Sequence, residues 1–248
     1  MTSINKKYLK IDAHVHSAGV SRCAQKTVEE LIDQKIDEGY DGAVLVNHCQ
    51  PWYYVPHKAG NEQYVRSVLD EYARGQAYAK ERGFRLYLGL EVTILNPFYS
   101  DWLLYGVTEA FLLEAPALYI LSQSELFERC ERHGVVLVQA HPFRGYLDLP
   151  TRGVGEFAFL HGLEINCSLK DLPHVQKVLE IAQKQHKLVV CGTDFHGKAT
   201  RGHVLGGIFV PEWVETGVDF ARYLKETDEM KLFLNDERIN FPVFPRKK

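Results

Sequence analysis

Three features of the 248-residue sequence predict a single α/β domain built on a mainly parallel sheet of barrel-forming strand number. Short apolar runs alternate with amphipathic stretches along the chain, capping residues mark helix starts, and glycines mark helix ends. No Pro/Ser-rich linker breaks this order, so one domain is expected over 1–248.

The apolar runs span 9–15, 42–46, 85–92, 135–140, 163–165, 188–191 and 207–210. Each is short, rich in Val, Ile and Leu, and apolar on both faces, as strands covered by helices must be. Thr27 with Glu30 and Ser122 with Glu125 have the capping-box spacing, in which hydroxyl and carboxylate satisfy each other's orphan amides. Gly39, Gly83 and Gly134 each follow a charged, helix-like stretch and precede an apolar run, where a left-handed C-cap favours glycine. The tail 231–248, with its Phe-Leu-Asn and Phe-Pro-Val-Phe pieces, is expected to pack on the barrel.

Composition excludes several classes. Hydrophobic residues at 46% and charged residues at 25% fit a globular core and rule out disorder or a collagen-like chain. With 29 Lys+Arg against 32 Asp+Glu the net charge is −3, so no basic excess points to long nucleic acid or an anionic membrane. The polar first ten residues lack a secretory h-region, and no window is long and apolar enough to span a bilayer; a cytoplasmic location is expected. Five cysteines without C-x-x-C spacing fit reduced thiols.

Chemistry concentrates at the carboxyl ends of the runs. There lie Asp12, His14 and His16, then Asn47 and His48, Glu91, His141, and finally Asp194 and His196. In a barrel or open α/β sheet these ends face one side, so residues distant in sequence converge on one cleft. In His14-x-His16 and Asp194-x-His196 a spacing of two puts both side chains on one face of an extended chain, giving two ligands to one ion. Imidazole with carboxylate suits Zn, Mn or Fe, and several ions are held by so few acids only if one is shared; Glu91 is the natural bridge. Asp12 either supports an imidazole or is a buried hydrogen-bond acceptor. His57, His133, His161, His174 and His186 have no companion spacing and are expected at the surface. Gly192 to Lys198 reads G-x-x-x-x-G-K, but Ala199 lacks the hydroxyl a phosphate-binding loop needs and Asp194 would repel the phosphate.

In the order D-x-H-x-H, a histidine strand end, G-x-E, H-P and T-D-x-H, from Asp12 to His196, the sequence resembles the polymerase and histidinol phosphatase (PHP) family of metal-dependent phosphoesterases. The resemblance implies a distorted (β/α)7, TIM-like barrel with a trinuclear site. By that resemblance His14, His16, Glu91 and Asp194 hold one ion, Glu91 bridges to a second that also takes His141, and His48 and His196 serve the third. The acid or histidine usual after the first motif is missing; Cys23 stands nearest, either as a thiolate ligand or as a small buried thiol. The ligand usual between Glu91 and His141 corresponds to Asp101, which is alternatively a helix cap. Asn47 replaces an aspartate beside the histidine and removes a charge.

The activity implied is hydrolysis of a small phosphorylated substrate, a phosphomonoester of a metabolite or nucleotide, by a metal-bridging hydroxide with three divalent ions per chain. Arg144, just past His141-Pro142, is placed either to grip phosphate oxygens through its planar fork or to form a salt bridge. Asn166, Lys198, Arg201 and His203 are further candidates for the cleft or its rim. The alternatives are a short-oligonucleotide phosphodiesterase, a metal-dependent C–N hydrolase and an inactive metal-binding module.

Overall fold

In the computed structural model, which describes residues 8–51, 61–95, 98–114, 117–145, 153–197, 204–235 and 237–243, all seven expected runs are strands. They form β1 (Tyr8–Val15), β2 (Gly42–Leu45), β4 (Arg85–Ile94), β6 (Val136–Gln139), β7 (Gly162–Asn166), β8 (Leu188–Gly192) and β9 (Gly206–Pro211). Four more join them: β3 (His48–Cys49), β5 (Ser100–Tyr105), β10 (Glu229–Leu234) and β11 (Glu237–Pro242). The order across the sheet is β11-β10-β9-β1-β2-β4-β5-β6-β7-β8, with β3 on β4.

Among the described residues the α-helices of five residues or more are α1 (Val28–Asp37), α2 (Asn61–Glu81), α3 (Glu109–Leu113), α4 (Gln123–His133), α5 (Val175–Lys184) and α6 (Gly217–Glu226). Both expected capping boxes form, at Thr27–Glu30 and Ser122–Glu125. Gly39, Gly83 and Gly134 all take the left-handed backbone expected of them, at φ 80°, 67° and 72°. Strands buried on both faces lie under these helices; Val28, Leu31 and Ile32 of α1, for instance, pack on Val15, Ala43 and Leu45.

The expectation of a mainly parallel sheet holds only in part. Strands β1, β2, β3 and β4 run parallel, as do β6, β7 and β8, but β5 is antiparallel to both its neighbours. Five residues separate β4 from β5, too few for a helical crossover and enough for a hairpin. Strand β9 is antiparallel to β1, and the C-terminal segment, expected simply to pack on the barrel, extends the sheet as the β10–β11 hairpin. Residues 244–248 of that tail lie outside the described residues.

The sheet nearly closes where the end of β8 meets β1. Val15 and Phe195 form a parallel bridge there, with His16 N donating to Phe195 O at 2.9 Å. Gly192 permits the approach, because a Cβ at that position would lie 2.4 Å from the Cβ of His14.

Candidate metal centre

Alternation along β1 buries Ile11, Ala13 and Val15 on one side and leaves Asp12, His14 and His16 on the other. His14 Nε2 then meets His16 Nε2 at 2.9 Å and Asp194 Oδ1 at 3.2 Å. His16 Nε2 lies 3.3 Å from Asp194 Oδ1 and 3.4 Å from Glu91 Oε2, which is 3.6 Å from His14 Nε2. A tetrahedral ion bound at about 2.0–2.1 Å needs donor–donor edges of about 3.3 Å. These four residues fit that shell.

The donor chemistry agrees. His14 Nδ1 donates to Glu164 Oε1 at 2.7 Å, which leaves Nε2 presenting a lone pair to another imidazole and two carboxylates. Only a cation, proton or metal, reconciles such a convergence. Burial depresses the His14 pKa, but the carboxylates of Glu164, Asp194 and Glu91 outweigh it and hold the metal-free imidazole well above its usual range. His16 is driven well below that range by burial and by its neighbours His196 and His48. Burial alone would raise Glu91 and Asp194, yet His48 and His14 pull the first, and Arg144 and His14 the second, well below the carboxylate range.

Glu91 joins this group to its neighbours. Its Oε2, buried and without a hydrogen bond among the described residues, lies 2.8 Å from His48 Nδ1, while Oε1 lies 3.1 Å from His141 Nε2. Glu91, Asp101 and His141 form a second donor cluster, and His16, His48 and His196 a third, each with its atoms within 4.8 Å of one another. His196 Nε2 and His48 Nε2 are 3.4 Å apart. His141 and Asp194 both have positive φ, 27° and 57°, a conformation non-glycine residues adopt at a cost of order 1–3 kcal/mol where surrounding contacts over-determine it.

Of these groups His48, Glu91, His141, Asp194 and His196 line a cleft of about 530 Å³, together with Arg22, Cys23, Gln50, Tyr99 and Arg144. Arg144 is oriented by Asp171 Oδ2, which accepts from Nε at 2.9 Å and Nη2 at 2.5 Å, and its Nη1 reaches Asp194 Oδ2.

No protein-family model matches the chain, and no curated protein does. Solved structures do share its fold. A two-domain protein from Bacteroides vulgatus, described as containing a predicted PHP-like metal-dependent phosphoesterase, is 18% identical over 94% of this chain and 67% of its own, with a TM-score of 0.63. PsfC from Pseudomonas syringae is 17% identical, with 87% and 88% of the two chains covered and a TM-score of 0.61. The lesion-specific endonuclease PfuEndoQ from Pyrococcus furiosus is 13% identical over 91% of this chain but only 57% of its own, with a TM-score of 0.56. The chain has the PHP fold.

Within this PHP fold the sequence-derived candidates fall into three sets. His14, His16, His48, Glu91, Asp101, His141, Asp194 and His196 gather in the clusters described above. Cys23 is exposed rather than a buried thiol, and its side chain bonds His196 and His48, which outweigh partial burial and lower its pKa to about 6. Asp101 is no helix cap: it sits on β5 opposite Thr93, whose Oγ1 donates to it at 2.6 Å. Asn166 is buried, with its amide engaged by Glu164 and Ser168, and does not line the cleft. Lys198, Arg201, His203 and His57 lie outside the described residues.

The open reading of Asp12 resolves, and Asn47 keeps a hydrogen-bonding role. Asp12 touches no imidazole; its Oδ1 accepts from His14 N at 3.1 Å and Thr193 N at 3.0 Å. Asn47 Oδ1 accepts from Ser17 N and Ser21 Oγ, so it anchors the loop after β1. His161, expected at the surface, is buried, accepting from Leu137 N and facing Glu131. Sequence reasoning missed Glu164, Asp171 and Lys35. Glu164 carried a signal, a charge at the centre of the apolar run 163–165; Asp171 and Lys35 stand among other polar residues with no local pattern to set them apart.

Proposed function

We propose that this chain is a PHP-family metal-dependent phosphoesterase that hydrolyses a small phosphomonoester. The observation that supports it most is the division of Glu91, with Oε2 turned to His14, His16 and His48 and Oε1 to His141. A carboxylate shared in this way suits adjacent cations. In this reading His14, His16, Glu91 and Asp194 hold one ion, Glu91, Asp101 and His141 a second, and His48, His196 and Cys23 a third. Bound divalent ions supply Lewis acidity, lowering the pKa of water and neutralising phosphoryl oxygens.

The remaining work falls to side chains. Glu164 fixes the His14 tautomer, and Asp171 holds the Arg144 guanidinium at the cleft, where its charge attracts phosphate oxygens. A cleft of about 530 Å³ suits a metabolite-sized ligand. A short-oligonucleotide phosphodiesterase is the second reading, favoured by Arg22 and Tyr99 at the cleft, a cation and a ring for backbone and base.

Protein loaded with Mn, Zn or Fe and offered p-nitrophenyl phosphate and its bis ester decides between them. Release from the monoester, abolished by Glu91→Gln or His141→Ala, is the expected result. Activity that survives either substitution overturns the assignment, and preference for the diester selects the second reading.

A further inference from the structure

A lysine without solvent lies beneath the centre. Lys35, on the inner face of α1, has no exposed surface, and burying an ammonium is costly unless it is fully partnered. Its Nζ lies 2.9 Å from Asp12 Oδ2, 2.9 Å from Glu38 Oε2 and 3.3 Å from Thr193 Oγ1. The rings of Phe195 and Tyr40 face it at 4.4 and 5.0 Å. Asp12 passes the connection on: it accepts from His14 N, Thr193 N and, at 2.5 Å, Thr193 Oγ1.

The location matters more than the number of contacts. Strand β1 forms its ladders with β2 and β9, and meets the chain after β8 through a single backbone bridge among the described residues, Val15–Phe195, and through the bonds of Thr193 to Asp12. That thinly bonded seam carries His14 and His16 on one side and Asp194 and His196 on the other. The approach of Asp194 Oδ1 to both imidazoles, at 3.2 and 3.3 Å, requires the two sides to hold their separation, and Asp194 must also keep its positive φ. Lys35, Asp12 and Thr193 tie the two sides together one residue short of Asp194. Without the ammonium, Asp12 would be a buried carboxylate lacking its countercharge, and the proton it would take up in compensation would weaken the bonds it accepts from the amides of His14 and Thr193.

We infer that Lys35 is a positioning residue of the metal centre, acting through Asp12 and Thr193 to set the spacing of His14 and His16 against Asp194. This rests on the metal-dependent reading above. Neither Lys35 nor Thr193 supplies a ligand.

The test is Co(II) titration of the full chain, followed by visible absorption, alongside thermal unfolding. Lys35→Met should weaken Co(II) binding about 10- to 100-fold, the range for loss of a partner that supports a ligand, and should alter the intensity of the absorption bands. Thr193→Val, which removes only the hydroxyl link, should shift both in the same direction. Ile32→Val, a core change on the same helix, should lower the melting temperature and leave affinity and spectrum alone. Asp12→Asn combined with Lys35→Met should cost less than the two separate losses together. Wild-type affinity and spectrum in Lys35→Met, or in Thr193→Val should the lysine variant fail to fold, overturn the inference and leave the phosphoesterase reading standing. A wild-type chain that binds no Co(II) overturns both.

Discussion

Glu164 Oε1 lies 2.7 Å from His14 Nδ1, across 150 residues of chain, and the same carboxylate accepts His141 N on Oε2 at 2.9 Å. One buried side chain thus orients an imidazole of the first donor cluster and the backbone of a residue in the second. Glu164→Gln keeps the shape but removes the charge that fixes the His14 tautomer. Metal content after dialysis against a weak chelator should fall, with affinity reduced about 10- to 100-fold. Unchanged retention would show that Glu164 is a packing residue.

Metal affinity should rise with pH. In the metal-free protein His14 is held well above its usual range, against burial, by Glu164, Asp194 and Glu91; His48 is likewise raised, against burial, to about 10 by Glu91 and Cys23. Below these values the nitrogens carry protons that an ion must displace, and the competition fades as pH climbs toward 10. Zinc competition titrations between about pH 6.5 and 8.5 should tighten about tenfold per pH unit for each proton released. Calorimetry in buffers of different ionisation enthalpy counts those protons, and a flat profile contradicts the assignment.

Asp171 should act on substrate binding. Its Oδ2 receives both Nε and Nη2 of Arg144, so Asp171→Asn loosens the guanidinium while Asp171 itself contacts none of the donor clusters, which Arg144 meets through Asp194 alone among the described contacts. The expected signature is a higher KM and weaker inhibition by inorganic phosphate, with kcat less affected and metal content preserved. An equal fall in kcat at constant KM would move Arg144 out of ground-state binding.

Gly192→Ala should strain the seam. The new Cβ would sit 2.4 Å from His14 Cβ and 2.7 Å from His14 N, a backbone clash that no rotamer change relieves. Destabilisation of about 1–3 kcal/mol is expected in denaturant titrations, with loss of metal affinity. Gly153→Ala, where nothing lies within 4 Å of the added carbon, should stay within about 0.5 kcal/mol of the parent.

Much of the donor set was legible in the sequence because local rules place it. The period-two alternation of 12–16 puts His14 and His16 on one face, and apolar runs ending in His48, Glu91, His141 and Asp194 announce a common edge. The capping boxes at Thr27 and Ser122 were equally local, each settled within four residues. Strand direction was not, since a run of Val and Leu reads alike in parallel and antiparallel neighbours; β5 and β9 show it.

The sequence by itself determined seven of the strands and that the candidate ligands at their ends share an edge. Only the tertiary structure decided how those ends are fastened: Glu164 to His14, Asp171 to Arg144, and Lys35 through Asp12 to Thr193. Each of these fastenings joins segments far apart in the chain. A buried charge is identified by the partner that compensates it, and that partner is fixed by the near-closure of the sheet, which no local pattern of residues records.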